Sequence, residues 1–250
     1  MSRGILALWL LNGAAGRLFA QDSISLHEIL ERMSRNDTSR AQGLKHYTST
    51  RTYRLHNVRF HKTAEMNVKL TYTSTGRKDF ELLSESGPRP VRDKVLRRMV
   101  ESEAEASGDE LRNLNRITTD NYDFRLVRQD RESGRSAYVL EAIPKTKSKY
   151  LMKGEIWVDA EDFAISRVSA QPAKNPSFWI RKSRFEYRYA KFGSFWLPVS
   201  TDSEADAVVF GHTEVKIRYQ DYRINGDPAE AGSAGAAAGR TPAAPALGLR

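Results

Sequence analysis

The sequence predicts an α+β fold that is mostly antiparallel β, and three observations predict it. Asn121 to Asn225 reads as one long β-meander, short alternating runs separated by turn residues. Within it Phe185, Tyr187 and Tyr189 alternate with Glu186 and Arg188, and Val215-Lys216-Ile217-Arg218-Tyr219-Gln220 repeats the device. Successive strand side chains point to opposite faces, so such runs have one apolar and one charged side. Two further stretches carry apolar residues at helical spacing. A sheet that is apolar on one side needs a helix, a second sheet or a ligand over it.

The first helix starts at a capping box, Ser25-Leu26-His27-Glu28, with Glu28 expected to reach back to the cap. Leu26, Ile29, Leu30 and Met33 share one face, and the helix is expected to run to about Lys45, either unbroken or broken near Asn36-Asp37. Tyr47 to Val58, rich in Thr and Tyr, reads as the first strand. Met66, Val68, Leu70 and Tyr72 alternate with Asn67, Lys69 and Thr71 in the second, and Asp79 to Ser84 is the third. Gly87-Pro88-Arg89-Pro90 breaks the sheet. Val91, Val95, Leu96, Met99 and Val100 then fall on one side of a helix to about Ala106, whose other side carries Arg92, Lys94, Arg97 and Arg98. A short helix is expected from 109 to 115. Strands follow at 122–129, 137–143, 150–158, 163–170, 178–189, 194–201 and 208–223, about ten in all.

Met1 to Ala20 has the export pattern: Arg3, the apolar run Ile5 to Leu11, and small residues up to Ala20-Gln21. That run is far shorter than the roughly 20 residues a spanning helix needs. The expected division is a signal peptide over 1–20, one domain over 21–225 and a disordered Ala/Gly/Pro-rich tail over 226–250. There is no cysteine, which excludes disulfides, a thiolate nucleophile, Cys-ligated zinc and a lipid-modified cysteine. The net charge is +9, or +7 without Arg3 and Arg17. In an exported chain this points to anionic headgroups, an acidic partner or a merely soluble surface rather than to nucleic acid.

No catalytic constellation stands out. His27, His46, His56, His61 and His212 lack metal-ligand spacing. Asp202, Glu204 and Asp206 read as a solvated loop before the last strand, without the glycine and terminal glutamate of a calcium loop. Asp159, Glu161 and Asp162 share one exposed turn rather than facing a cleft. Arg181, Lys182, Arg184 and Arg188 interleave with Phe178, Trp179, Phe185 and Tyr187, which reads as a strand with a solvated basic face. There is no G-x-S-x-G and no phosphate-cradling glycine loop. No enzyme and no cofactor are expected.

Tyr150-Leu151-Met152-Lys153-Gly154-Glu155-Ile156-Trp157-Val158-Asp159, returning as Ile165-Ser166-Arg167-Val168, resembles a hairpin of the outer-membrane lipoprotein-sorting proteins. The element order over 22–225 is similar to theirs, and the superfamily contains the carrier LolA and the sensor RseB. The resemblance implies an open, curved half-barrel with amphipathic helices as a lid and acyl chains held on the concave face. It implies a monomeric periplasmic lipid or lipoprotein carrier or, alternatively, a sensor of a membrane protein's periplasmic segment. The expected lining is Met66, Val68, Leu70, Tyr72, Ile156, Val158, Phe185 and Tyr187, with Leu96 and Met99 from the helix. A first-strand arginine, Arg51 or Arg54, would hold the lid. The basic helix face would stay free for anionic headgroups. The basic helical insertion and the Ala/Pro tail depart from the carrier.

Overall fold

A computed structural model describes residues 24–108, 113–175, 180–209 and 211–232. The expected export signal lies outside the described residues, as do Phe178 and Trp179 and the start of the expected 109–115 helix.

Helix α1 (Leu26–Gly43) begins where Ser25 Oγ accepts the Glu28 backbone N–H at 3.2 Å. The Glu28 carboxylate does not return to the cap as expected. It pairs with Arg32 one turn on, where opposite charges four residues apart attract. The helix crosses Asn36-Asp37 unbroken, pinned by the Asn36 amide, which donates to Asp162 O at 2.7 Å. Strands β1 (His46–Asn57), β2 (Lys62–Thr73) and β3 (Lys78–Ser86) follow. Helix α2 is continuous from Arg89 to Ala106 and has three parts: Arg89–Val91, a π-helical turn Arg92–Leu96, and Arg97–Ala106. Then come β4 (Tyr122–Glu132), β5 (Arg135–Pro144), β6 (Met152–Asp159), β7 (Ile165–Pro172), β8 (Ile180–Phe192), β9 (Phe195–Ala207), β10 (Gly211–Ile224) and the two-residue β11 (Asp227–Pro228).

The strands form one antiparallel sheet in the order β3-β2-β1-β10-β9-β8-β7-β6-β5-β4, with β11 on β10. It is an open, curved half-barrel whose edges are β3 and β4. Every neighbour but one is consecutive in the chain; the exception, β1 beside β10, seats the N-terminal hairpins against the last strand.

Two cores fill the inner face. One joins Tyr53, Met66, Val68, Leu70, Val215 and Ile217 under Leu96 of α2. The other joins Leu140, Ile156, Val158 and Val168 under Ile29 and Met33 of α1. Gly154, in the hairpin of the resemblance, is required by this packing: a Cβ there would lie 2.6 Å from Ala170 Cα and overlap Ser169 O. Gly87 turns the chain into α2 at φ +94°, with Ala64 Cα 2.7 Å from where its Cβ would be.

Several expectations are corrected. Asp202, Glu204 and Asp206 are in β9, not in a loop. Cross-strand partners explain this: Asp202 accepts from Arg218 at 2.9 Å and Asp206 pairs with His212 at 2.8 Å. The last strand accordingly starts at Gly211, not Val208. Asp159 is buried rather than exposed. Its carboxylate accepts the Glu161 and Asp162 backbone N–H groups and the Arg135 guanidinium, so it ties the turn to β5. Residues 227–232 are ordered against the sheet: the Ala229 N–H donates to Tyr222 O and the Gly232 N–H to Lys191 O, and Ala229 and Ala231 pack on the first core. The rest of the expected tail lies outside the described residues.

Candidate functional site

The alternation of β1 puts Tyr47, Ser49, Arg51, Tyr53 and Leu55 on the inner face. Arg51 is therefore a cation inside the half-barrel, 1 % exposed. Arg54, three residues on, faces outward and pairs with Glu65 at 2.7 Å. The Arg51 guanidinium sits 4.7 Å from the Tyr219 ring centroid and 5.3 Å from that of Phe80. Its Nη1 donates to both oxygens of Glu103 on α2 at 2.7 Å. Lys78 Nζ of β3 reaches the same carboxylate at 2.7 Å, and the Tyr53 hydroxyl approaches it at 3.5 Å. Three strand residues thus clasp one helix carboxylate beneath α2.

The clasp is charged in spite of its burial. Burial pushes the Glu103 carboxyl up, but Lys78 and Arg51 outweigh it and bring it down to about 2. Burial pulls Arg51 down, but Glu103 first and then Tyr219, Tyr53 and Tyr47 hold it above the ordinary arginine value. Tyr47 and Tyr219 are pushed up to about 12 by burial, so both phenols stay neutral hydrogen-bonding groups.

A group whose folded pKa is depressed stabilises above its unfolded value and loses that contribution as pH falls. From about 4.5 down through about 2, protonation of Glu103 should remove about 3 kcal/mol. Thermal melts at pH 7, 4 and 2 check this. The wild-type loss should exceed that of Glu103→Gln, whose residue 103 no longer titrates. Identical acid profiles would contradict it.

The expected lining divides into two sets. Met66, Val68, Leu70, Ile156, Val158 and Leu96 are closed inside the two cores. Tyr72, Met99, Phe185 and Tyr187 are half-buried at core margins. Phe185 and Tyr187 stack edge to face, 5.4 Å between centroids. They pack on the α1 core, yet the Tyr187 phenol, pushed up by burial, also feels Tyr219, Glu103 and Tyr53 of the other half. Strand β8 spans both cores: Phe185, Tyr187 and Tyr189 pack on the one under α1, and Ala190 and Phe192 belong to the one under α2. A separate cavity of about 270 Å³ lies between α1 and the sheet, with Leu30, Met33, Phe124, Phe163 and Ile165 among its walls. Asp37 and Arg116 close its rim with a 2.8 Å ion pair.

The sequence reading missed Glu103 and Lys78. The available signal was helical phase: Glu103 follows Leu96, Met99 and Val100 on the inward stripe of α2. The basic face of α2 is not free as expected. Arg92 and Arg97 pair with Glu85 at 2.7 and 2.9 Å, Arg97 also with Asp93, and Arg98 with Glu101. Those acids lie on β3 and one helical turn away, within reach of long arginine side chains.

A protein-family model described as a family of unknown function (DUF5686) matches residues 114–222. A search of curated proteins found no match. Solved structures similar to this chain include a LolA superfamily protein from Nitrosomonas europaea at 12 % identity, covering 81 % of this chain and 94 % of that one with a TM-score of 0.43. A putative outer membrane lipoprotein-sorting protein domain from Vibrio parahaemolyticus matches at 14 %, 78 % and 92 %, with a TM-score of 0.40. The Pseudomonas aeruginosa MucA/MucB complex matches at 10 %, 82 % and 98 %, with a TM-score of 0.24. None of these likenesses assigns a ligand or a functional residue to this chain.

Proposed function

We propose that this protein is an exported, non-enzymatic binding module that holds the acyl chain of a lipid or lipoprotein on the inner face of its sheet. The observation that carries the reading is the clasp of Arg51 and Lys78 on Glu103 beneath α2. A buried ion pair is a poor stabiliser compared with apolar side chains of similar size. It is well suited to a cover that must hold when the face is empty and lift when it is filled. Arg51 is the lid-holding residue in this reading, and Arg54 is not. The ligand's apolar chain would enter along Phe185, Tyr187, Tyr72 and Met99. Each buried methylene contributes about 0.8 kcal/mol, so a chain of about ten offsets the loss of the clasp without covalent chemistry. Among the described residues no helix is long and apolar enough to cross a membrane.

Mass spectrometry of lipid extracted from the purified protein tests the reading. Wild type should carry acyl lipid. Leu96→Asp, which puts a charge where α2 meets the first core, should carry none while the sheet signal in circular dichroism persists. Lipid-free wild type, or equal lipid in both proteins, would overturn it. A second reading, recognition of a membrane protein's periplasmic segment, is favoured by the closed packing of Met66, Val68, Leu70 and Leu96. It predicts a lipid-free protein that captures such a segment.

A further inference from the structure

The antiparallel register sorts the connections between strands onto two rims. One rim gathers the β1–β2 turn, the β5–β6 connection, the β9–β10 turn and the first residues of β8. The opposite rim gathers the β4–β5, β6–β7 and β8–β9 turns.

The first rim exposes apolar side chains at turn tips, where no packing asks for them: Val58 at 40 %, Phe60 at 48 %, Val208 at 43 %, Val209 at 52 % and Tyr150 at 41 %. The two valine-bearing turns are tied side by side. The Val58 N–H donates to His212 O at 3.0 Å and Arg59 Nη1 to Val209 O at 3.2 Å. Phe60 is fixed by its own turn, its N–H donating to Asn57 Oδ1 at 2.9 Å.

The same rim is basic. Lys62, Lys147, Lys149, Lys174, Arg181 and Lys182 are exposed and form no ion pair with a described residue. Lys149 lies over the Tyr150 ring at 4.9 Å. Of the nearby acids, Asp206 bonds His212 and Asp123 lies 4.0 Å from Lys145, while Asp120 and Glu204 are exposed and form no ion pair with a described residue. The opposite rim differs. There Arg135 meets Asp159, Glu161 and Asp162, and Lys191 meets Asp162. Unpaired exposed cations stand on the opposite rim as well, at Lys45, Arg131 and Arg223, but among the described residues no turn of that rim sets an exposed large apolar side chain beside them.

We infer that this rim docks on a bilayer surface rich in anionic headgroups, with Phe60, Tyr150 and the valine tips entering the boundary between headgroups and acyl chains. Basic side chains beside exposed aromatic and aliphatic ones match that interface: the cations meet the negative surface potential, and the amphipathic rings sit at headgroup level. The apolar residues stand on separate turns rather than lining one groove, which suits a deformable lipid surface better than a rigid protein partner. On the α2 face expected to serve this role, Arg92 and Arg97 are held by Glu85 and Asp93 and Arg98 by Glu101, which leaves Lys94 alone without an ion pair there.

Sedimentation of the full chain with vesicles tests the inference. Vesicles of phosphatidylcholine mixed with phosphatidylglycerol should bind it at low salt, and pure phosphatidylcholine should not. Near an anionic surface each cation is worth about fivefold in affinity, so Lys147→Glu with Lys149→Glu should weaken binding at least about tenfold. Phe60→Ser with Val209→Ser should weaken the part of the binding that survives high salt, with thermal melting unchanged because these side chains are exposed. Wild type stripped of lipid should dock as the freshly purified protein does, so failure here is separable from failure of the acyl-binding reading. Wild type that ignores the mixed vesicles, binds both kinds equally, or is matched by both rim variants would overturn the inference. So would capture of an acidic polypeptide by a chain that ignores the vesicles, which would make the partner a protein.

Discussion

Replacing Glu103 by leucine is expected to destabilise the protein by about 3–5 kcal/mol, far more than an ordinary change on a polar helix. The reason is the partner left behind. Arg51 is almost wholly buried between Tyr219 and Phe80, and its Nε already has no hydrogen-bond partner. It cannot lose its charge, and without Glu103 it has no anion. Lys78 is less affected, since its half-buried side chain can turn to water. Replacing both members, Arg51→Met with Glu103→Leu, should restore most of the loss, because an apolar pair of similar volume carries no desolvation penalty. Urea melts of the two singles and the double measure the coupling. A single-variant cost below about 1 kcal/mol would mean that water reaches the guanidinium.

The second large effect is on β2. Leu70→Ala should cost about 2–5 kcal/mol, whereas Lys69→Leu next to it should change stability by less than about 0.5 kcal/mol. Leu70 is 0 % exposed and opposes Ser49 across the inner face. Lys69 is exposed on the outer face, between Thr50 and Glu81. Denaturant melts separate the two. Equal effects would mean that the register of β2 is wrong, and a small effect at Leu70 would mean that its side chain borders ligand space rather than core.

Much of this sheet was legible because alternation is a local signal. Met66, Val68 and Leu70 announce their face by spacing alone. The same parity separates Arg51, in phase with Tyr47 and Tyr53, from Arg54, an odd number of residues away. The pairing of β1 with β10 was not legible, since alternation says which face a residue takes but not which strand lies beside it. The extension of β9 through Asp202, Glu204 and Asp206 was hidden for the same reason: those acids look like loop until Arg218 and His212 are placed across from them. Glu103 was masked by Glu101 and Glu105, which have its chemistry but not its phase. The rim of Phe60, Tyr150 and Val209 could not be read either, because these residues are scattered over some 150 positions and meet only through the strand register.

The π-turn of α2 determines where its carboxylate points. The Arg97 N–H bonds back to Arg92 O, five residues away instead of four, so the stretch holds one residue more than a regular helix would need. Each α-helical residue turns the chain by about 100°. The start of α2 is anchored where Gly87 presses on Thr63 and Ala64. Forcing these residues into regular pitch would swing Glu103 by about 100° away from Arg51, whereas excising one residue between Arg92 and Leu96 would restore regular pitch and leave Glu103 on the same face. The wide turn thus works as a vernier: it absorbs one residue of chain and keeps the carboxylate aimed.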